Sequence, residues 1–197
     1  MKVTQLSTEE STARPVSGRA FFKRRFLALP GLEAQLVFWP LLAAGIALDL
    51  WTKKIAFEYL EQQATDSIRV INGFLQLVRR LNKGAAFGIA EGQTHVLIAI
   101  SALALVVILA IFFFSGNRQR LVNVALGLFA AGVCGNLYDR IFHNGSVRDF
   151  IDVVYWPGRH WPAFNAADSM LCVGVGLLII ANFLTARSYQ KHARQHR

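Results

Sequence analysis

Cysteine, acid and long polar stretches are all scarce in this chain. Among 197 residues there are two cysteines, Cys134 and Cys172, and both sit inside apolar runs. Two thiols without a Cys-x-x-Cys pair supply neither a zinc ligand set nor a disulfide framework. Their ordinary role is that of small apolar residues. No His-Glu-x-x-His pattern is present, so the helical zinc-hydrolase signature is missing. Charged residues make up 17% of the chain against 54% hydrophobic, where a soluble domain carries about 25% charge. That shortfall excludes intrinsic disorder, argues against a water-soluble globule, and leaves no room for a large soluble domain. Acid is the scarcer sign, with 12 Asp and Glu against 21 Lys and Arg and a formal charge of +9. Such an excess usually raises nucleic acid first. Here the apolar content speaks against a nucleic-acid partner, and the placement of the charges matters more than their sum.

What the chain does have is four apolar runs. Leu36 to Leu48 is free of charge, and Leu50 and Trp51 extend it past Asp49. Val96 to Phe114 is apolar but for Ser101, Leu121 to Cys134 carries one Asn, and Met170 to Leu184 has only Asn182. A spanning helix takes about 20 mostly apolar residues. The second run qualifies outright, and the others qualify once the polar residues at their ends are admitted. The first run begins too far into the chain, and lacks the small-residue cleavage site, to read as a cleavable signal peptide. Between the first two runs, Ile68 to Leu81 reads as one or two short strands around the turn signal Asn72-Gly73. Trp156, Trp161 and Phe164 suit an interfacial belt.

Lys and Arg near the ends of the runs set orientation. Residues 1–33, the loop 115–120 and the tail after 186 hold 12 basic and 3 acidic residues, and the opposite side holds 9 of each. The net charge therefore falls on one side, and this side is expected to be cytoplasmic, with both termini inside. Threaded so, the first segment ends outward at Asp49 to Lys53 and the third at Asn136, Asp139 and Arg140. The fourth starts outside at Asn165 and Asp168, and Asp149 lies in the loop before it. Carboxylates and carboxamides thus converge on one membrane face, where ionisable groups are costly unless they have work to do. Helix caps and local ion pairs such as Asp139-Arg140 are the plain alternative for any one of them. The histidines at 95, 143 and 160 are scattered singly, and no serine has a matching His. Paired carboxylates remain. Two Asp held close share one proton, so one acts as base on water while the other acts as acid. Charge alone leaves Asp49, Asp139, Asp149 and Asp168 as candidates. A membrane protein that binds or relays protons or cations is the runner-up, although its carboxylates are expected deeper in the helices. A scaffold for membrane partners is a third reading.

The order of motifs resembles the lipoprotein signal peptidase, or signal peptidase II, family. The likeness rests on Asp49-Leu50-Trp51-Thr52-Lys53, on Asn82-Lys83-Gly84-Ala85-Ala86-Phe87-Gly88, on Gly135 to Arg140 with Val147-Arg148-Asp149-Phe150-Ile151, and on Phe164-Asn165-Ala166-Ala167-Asp168-Ser169. The resemblance implies Asp149 and Asp168 as the catalytic pair of an aspartic endopeptidase that needs no metal or other cofactor. It implies supporting or substrate-holding roles for Asn82, Gly84, Asn136, Asp139, Arg140 and Asn165, and a structural pair, Asp49 and Lys53, near the end of the first helix. The substrate it implies is a prolipoprotein, cut just before a diacylglyceryl-modified cysteine in contact with membrane lipids, and one copy of the chain suffices. Its location is a bacterial inner membrane, with the site near the outer face. One residue departs from the family pattern: Arg148 stands where an apolar residue is usual. On a strand it points away from Asp149, so little effect on the pair is expected, and a contact with lipid headgroups is the role left to it.

The expected fold is mainly α: four transmembrane helices with a small extracytoplasmic β-sheet and an outer loop or amphipathic segment that serves as a lid. The expected division is a basic extension at 1–33, a membrane peptidase domain at 34–186 and a basic tail at 187–197. The helices fall at about 35–52, 94–114, 120–138 and 166–186, with a β-rich outer loop at 53–93 and a second outer loop at 139–165.

Overall fold

The computed structural model describes residues 29–85, 90–115 and 119–195, without the side chains of 189 and 191–195. Most of the basic extension, Arg118 of the inner loop and positions 86–88 of the second motif lie outside the described residues. Four long helices carry the apolar runs: α1 (Leu32–Gln62), α2 (Thr94–Phe114), α3 (Arg120–Phe142) and α4 (Ala166–Gln195). All four contain stretches long and apolar enough to cross a membrane. The chain is a multi-pass membrane protein. Strands β1 (Ser67–Ile71), β2 (Leu75–Asn82), β3 (Val147–Trp156) and β4 (Arg159–His160) form one antiparallel sheet in that order.

Three helices run beyond their expected ends, each for a local reason. Asp49 and Lys53 do not end α1 but lie in its middle, because they pair with each other one turn apart and turn into the bundle. Past them, Ala56 and Leu60 keep a buried stripe while the exposed Lys54 and Glu58 face water, so the pattern of a surface helix continues. Helix α3 carries Asp139 and Arg140 in its last turns rather than in a loop. Helix α4 continues into the basic tail.

Helix α3 is the centre of the bundle. Of its apolar stretch 61% is buried inside the protein, against 22%, 17% and 17% for α1, α2 and α4. Those three turn most of their apolar surface outward, as helices packed in lipid do. Small residues let α3 approach its neighbours: a Cβ on Gly132 would come within 2.7 Å of Leu171 Cγ on α4. At the end of the bundle away from the sheet the core is mainly apolar, with Phe38, Ile108, Phe112, Leu126 and Ala130 in one cluster and Asn123 the buried polar residue among the described ones there. There Phe38 and Phe112 stack with ring centroids 4.0 Å apart.

The segment between α3 and α4 is built as a strand. Strand β3 pairs with β2 through Leu77↔Ile151 and Arg80↔Asp149, with an irregularity between Leu77 and Arg80. Phe164, expected in an interfacial belt, is half-buried and accepts the Phe150 and Ile151 N–H groups at 3.1 and 2.9 Å. Trp156 and Trp161 remain exposed.

Candidate active site

The sheet lies at one end of the bundle and β3 brings Asp149 against the start of α4. The reason is local. Asn165 is the N-cap of α4: its Oδ1 accepts the Asp168 N–H at 3.0 Å, and Asp168 Oδ2 accepts the Asn165 N–H at 3.1 Å. Cap and third helical residue thus satisfy each other's orphan donors, a capping box. The cap was legible as an ordinary helix start, and it is one. Yet the same Asn165 reaches further, donating from Nδ2 to Asp149 Oδ1 at 2.7 Å. One residue therefore holds both carboxylates.

Each carboxylate has a second partner. Asn82, at the end of β2, donates to Asp149 Oδ2 at 3.1 Å, and Asn136 of α3 donates to Asp168 Oδ1 at 2.8 Å. Asp149 is buried to 1% exposure. Burial, and then the negative charge of Asp168, push its carboxyl up to about 7, against the opposing hydrogen bonds from Asn82 and Asn165. Asp168 sits in the first turn of α4, where the helix dipole favours negative charge. Asp149 is thus the acid suited to hold a proton, set against a partner at a helix start.

Around them lies a second layer of buried charge. Lys53, fully buried, places Nζ 2.7 Å from Asp49 Oδ2, 3.2 Å from Asp139 Oδ2 and 3.1 Å from Asn136 Oδ1. A lysine only donates, so Asn136 must turn its oxygen to Lys53 and its amide N–H to Asp168. Gly135 is required for this packing, since a Cβ there would collide with the Asp49 carboxylate. Asp139 does not pair with Arg140. It takes Arg148 instead, at 2.7 Å from Nη2 and 3.2 Å from Nε. Arg148 is thus turned away from Asp149, as a strand requires, but it meets α3 and not the lipid headgroups expected of it. Arg140 donates to the Gly84 carbonyl at 2.9 Å, and Gly84 N–H bonds Asn82 Oδ1 at 2.9 Å. The Arg140 Nε is buried without a partner among the described residues.

All ten residues singled out in the sequence are brought together here: Asp49, Lys53, Asn82, Gly84, Asn136, Asp139, Arg140, Asn165 and the pair Asp149 and Asp168. Sequence reasoning missed the charge partner of Asp139 and the need for Gly135. It also missed Asp152, whose Oδ2 lies 2.7 Å from His160 Nδ1 across the β3–β4 hairpin. Alternation gave no signal for it: Asp149 and Phe150 are both buried, so the pattern breaks before Asp152.

Comparison with known proteins gives the chain its family. Residues 41–184 match the family model described as signal peptidase (SPase) II. Proteins named lipoprotein signal peptidase are similar in sequence. One from Halalkalibacterium halodurans is 35% identical over 79% of this chain and 97% of its own. Another, from Sulfurihydrogenibium sp., is 42% identical over 68% of this chain and 83% of its own. A solved bacterial membrane enzyme superposes with a TM-score of 0.65 at 33% identity, over 74% of this chain and 87% of its own. With most of its length matched in sequence and in fold, this chain belongs to the signal peptidase II family of membrane peptidases.

Proposed function

We propose that this peptidase removes the signal peptide from diacylglyceryl-modified prolipoproteins by aspartic chemistry, with Asp149 and Asp168 as the reacting pair. The observation that carries the reading is the double hold of Asn165, with Asp149 Oδ1 on its side chain and Asp168 Oδ2 on its backbone. With its carboxyl pushed up to about 7, Asp149 is the member of the pair that holds the shared proton. Water adds to the scissile carbonyl carbon as Asp168 takes its proton and Asp149 gives its own to the carbonyl oxygen. In the second step Asp149 recovers a proton from a hydroxyl of the tetrahedral intermediate and Asp168 gives one to the leaving nitrogen. The C–N bond breaks and both acids return to their starting states. General acid–base steps of this kind are each worth about 10²–10⁴ in rate. The unpartnered Arg140 Nε and the Asn82–Gly84 turn beside it are suited to hold a substrate backbone carbonyl.

The substrate class follows from the family and from the relatives' name. A signal helix would enter from the bilayer, against helices whose apolar surface already faces outward. Its lipidated cysteine would stay in contact with membrane lipids, and cleavage would fall just before it. The excess of basic residues on the side of both termini, 12 against 9, favours cytoplasmic termini and a site near the outer face of a bacterial inner membrane. A monomer holds the whole pair.

The test is a gel-shift assay with purified protein in detergent and a diacylglyceryl-modified prolipoprotein. Asp149→Asn and Asp168→Asn should each lower turnover by at least about 10³-fold, within the reach of one lost acid–base group, while circular dichroism stays that of the wild type. Turnover retained in either folded variant refutes the pair.

A further inference from the structure

The residues that directly precede the two acids are held in the same way. Ala167, before Asp168, donates its backbone N–H to Asp49 Oδ1 at 2.8 Å. Arg148, before Asp149, donates its backbone N–H to Asp139 Oδ2 at 2.9 Å. These two gripping carboxylates are both fully buried and come from different helices, α1 and α3. Lys53 lies between them, 2.7 Å from one and 3.2 Å from the other. The path from Asp168 to Asp149 thus runs Ala167 N–H, Asp49, Lys53, Asp139, Arg148 N–H, and its three central side chains are fully buried.

We propose that Lys53 is a positioning residue that sets the separation of Asp149 and Asp168, by locking together the two carboxylates that grip the chain beside them. The proposal rests on the aspartic reading above. Charge supports it. Asp49 and Asp139 carry two negative charges, and Lys53 alone balances one. The Arg148 guanidinium, 13% exposed, supplies the other. His143 lies 3.5 Å from Asp139, but burial, and then the charge of Arg148, hold its imidazole below the ordinary range, so it stays neutral near neutral pH. The cluster closes at zero net charge. A buried pair with both partners satisfied is fixed in geometry, whereas removing one partner leaves a costly bare charge. Lys53 also holds Asn136, which bonds Asp168, so the lock reaches one acid by a second route.

The test cuts the link without baring a charge. In Asp49→Asn/Lys53→Met the amide oxygen can still accept the Ala167 N–H, Asp139 keeps Arg148, and net charge is unchanged. Turnover of the diacylglyceryl-modified prolipoprotein is measured against pH beside wild type and Asp149→Asn. The carboxyl infrared band of Asp149, obtained by difference against Asp149→Asn in each background, gives its titration without turnover. The charges acting on Asp149 come from Asp168 on α4, Lys53 on α1 and Arg140 on α3, with Asn82 and Asn165 as hydrogen-bond donors. With the lock cut, Asp149 and Asp168 drift apart and repel less. Loss of the Lys53 charge moves the Asp149 carboxyl up, while a wider separation from Asp168 moves it down. The direction is therefore read in Arg148→Lys, which keeps every charge and in which the infrared titration and the basic limb of kcat both move down from about 7. Turnover of the double variant falls about 100-fold, the loss a misplacement near 1 Å produces, and KM changes less than about threefold, because the substrate contacts stay. A folded double variant with wild-type kcat overturns the proposal, and a role confined to stability would give that result. If the double variant does not fold, Arg148→Lys carries the test. It keeps the charge and gives up the two-point grip on Asp139, so kcat should fall about tenfold with the same downward move, and no change in either overturns the lock. Undiminished cleavage by Asp149→Asn would instead remove the aspartic reading, leaving the infrared result to judge the lock alone.

Discussion

The two ends of the helix bundle solve opposite problems. At the end away from the sheet the interior is Phe38, Phe112 and aliphatic residues, and packing is the main force that holds it. At the sheet end the interior contains Asp49, Lys53, Asn136, Asp139, Asp149 and Asn165, all buried. There each polar group is held by a partner from a different element. The contrast shows why the site is so interlocked: the cost of buried charge is offset only if helices α1, α3, α4 and strand β3 meet in one arrangement. The apolar end tolerates small shifts, and the charged end does not.

Four measurements would break or sharpen this contrast. Lys53→Met bares two carboxylates with only Arg148 between them, and should cost about 3–5 kcal/mol of stability, read by thermal unfolding in detergent. A loss below about 1 kcal/mol would mean that water reaches the cluster. Asp149→Asn should act in the opposite sense, and only at high pH. The folded carboxyl lies at about 7 against 3.8 for the free group, so wild type loses stability as pH rises from about 4 to 7. Asn removes that loss, and the variant should be more stable at pH 8 by up to about 4 kcal/mol, from 1.36 kcal/mol per unit. At pH 3.5 and below it should equal wild type. Equal stability at both pH values would show that Asp149 is not held protonated. Phe38→Ala, at the apolar end, should cost about 3 kcal/mol by lost packing and leave the pH profile of turnover unmoved. A moved profile would mean that the two ends are coupled. The smallest effect is expected for His160→Ala. Its partner pair with Asp152 is half open to solvent, and exposed pairs contribute about 0–1 kcal/mol.

The same contrast explains what the sequence made legible. The four apolar runs are a property of composition along the chain, so the helices and their number could be read directly. Threading those helices also brought Asp49, Asn136, Asp139, Asn165 and Asp168 to one face, because position along a spanning helix fixes depth. Which acid pairs with which depends on side-chain direction across elements, and no periodicity encodes that. Asp139 and Asp149 looked equivalent by charge. Asp139 proves to be enclosed by Lys53 and Arg148, whereas Asp149 faces Asp168 and two carboxamides. Only the likeness to a family separated them beforehand. Arg148 next to Asp139 looked like nothing local, since eight residues and the end of α3 lie between them. The length of α1 was underestimated for a different reason: Asp49 and Lys53 interrupt the apolar run, and their pairing one turn apart carries the helix past them.

The capping box at Asn165 also bears on biogenesis. The atoms that begin α4 are the atoms that hold Asp149 and Asp168 together. A ribosome makes Asp168 last of all the site residues, and its helix must enter the bilayer before the cap can close. Until then a nascent chain with three helices inserted has a strand bearing Asp149 and nothing to set against it. On the aspartic reading proposed above, hydrolysis waits until the last span is in place.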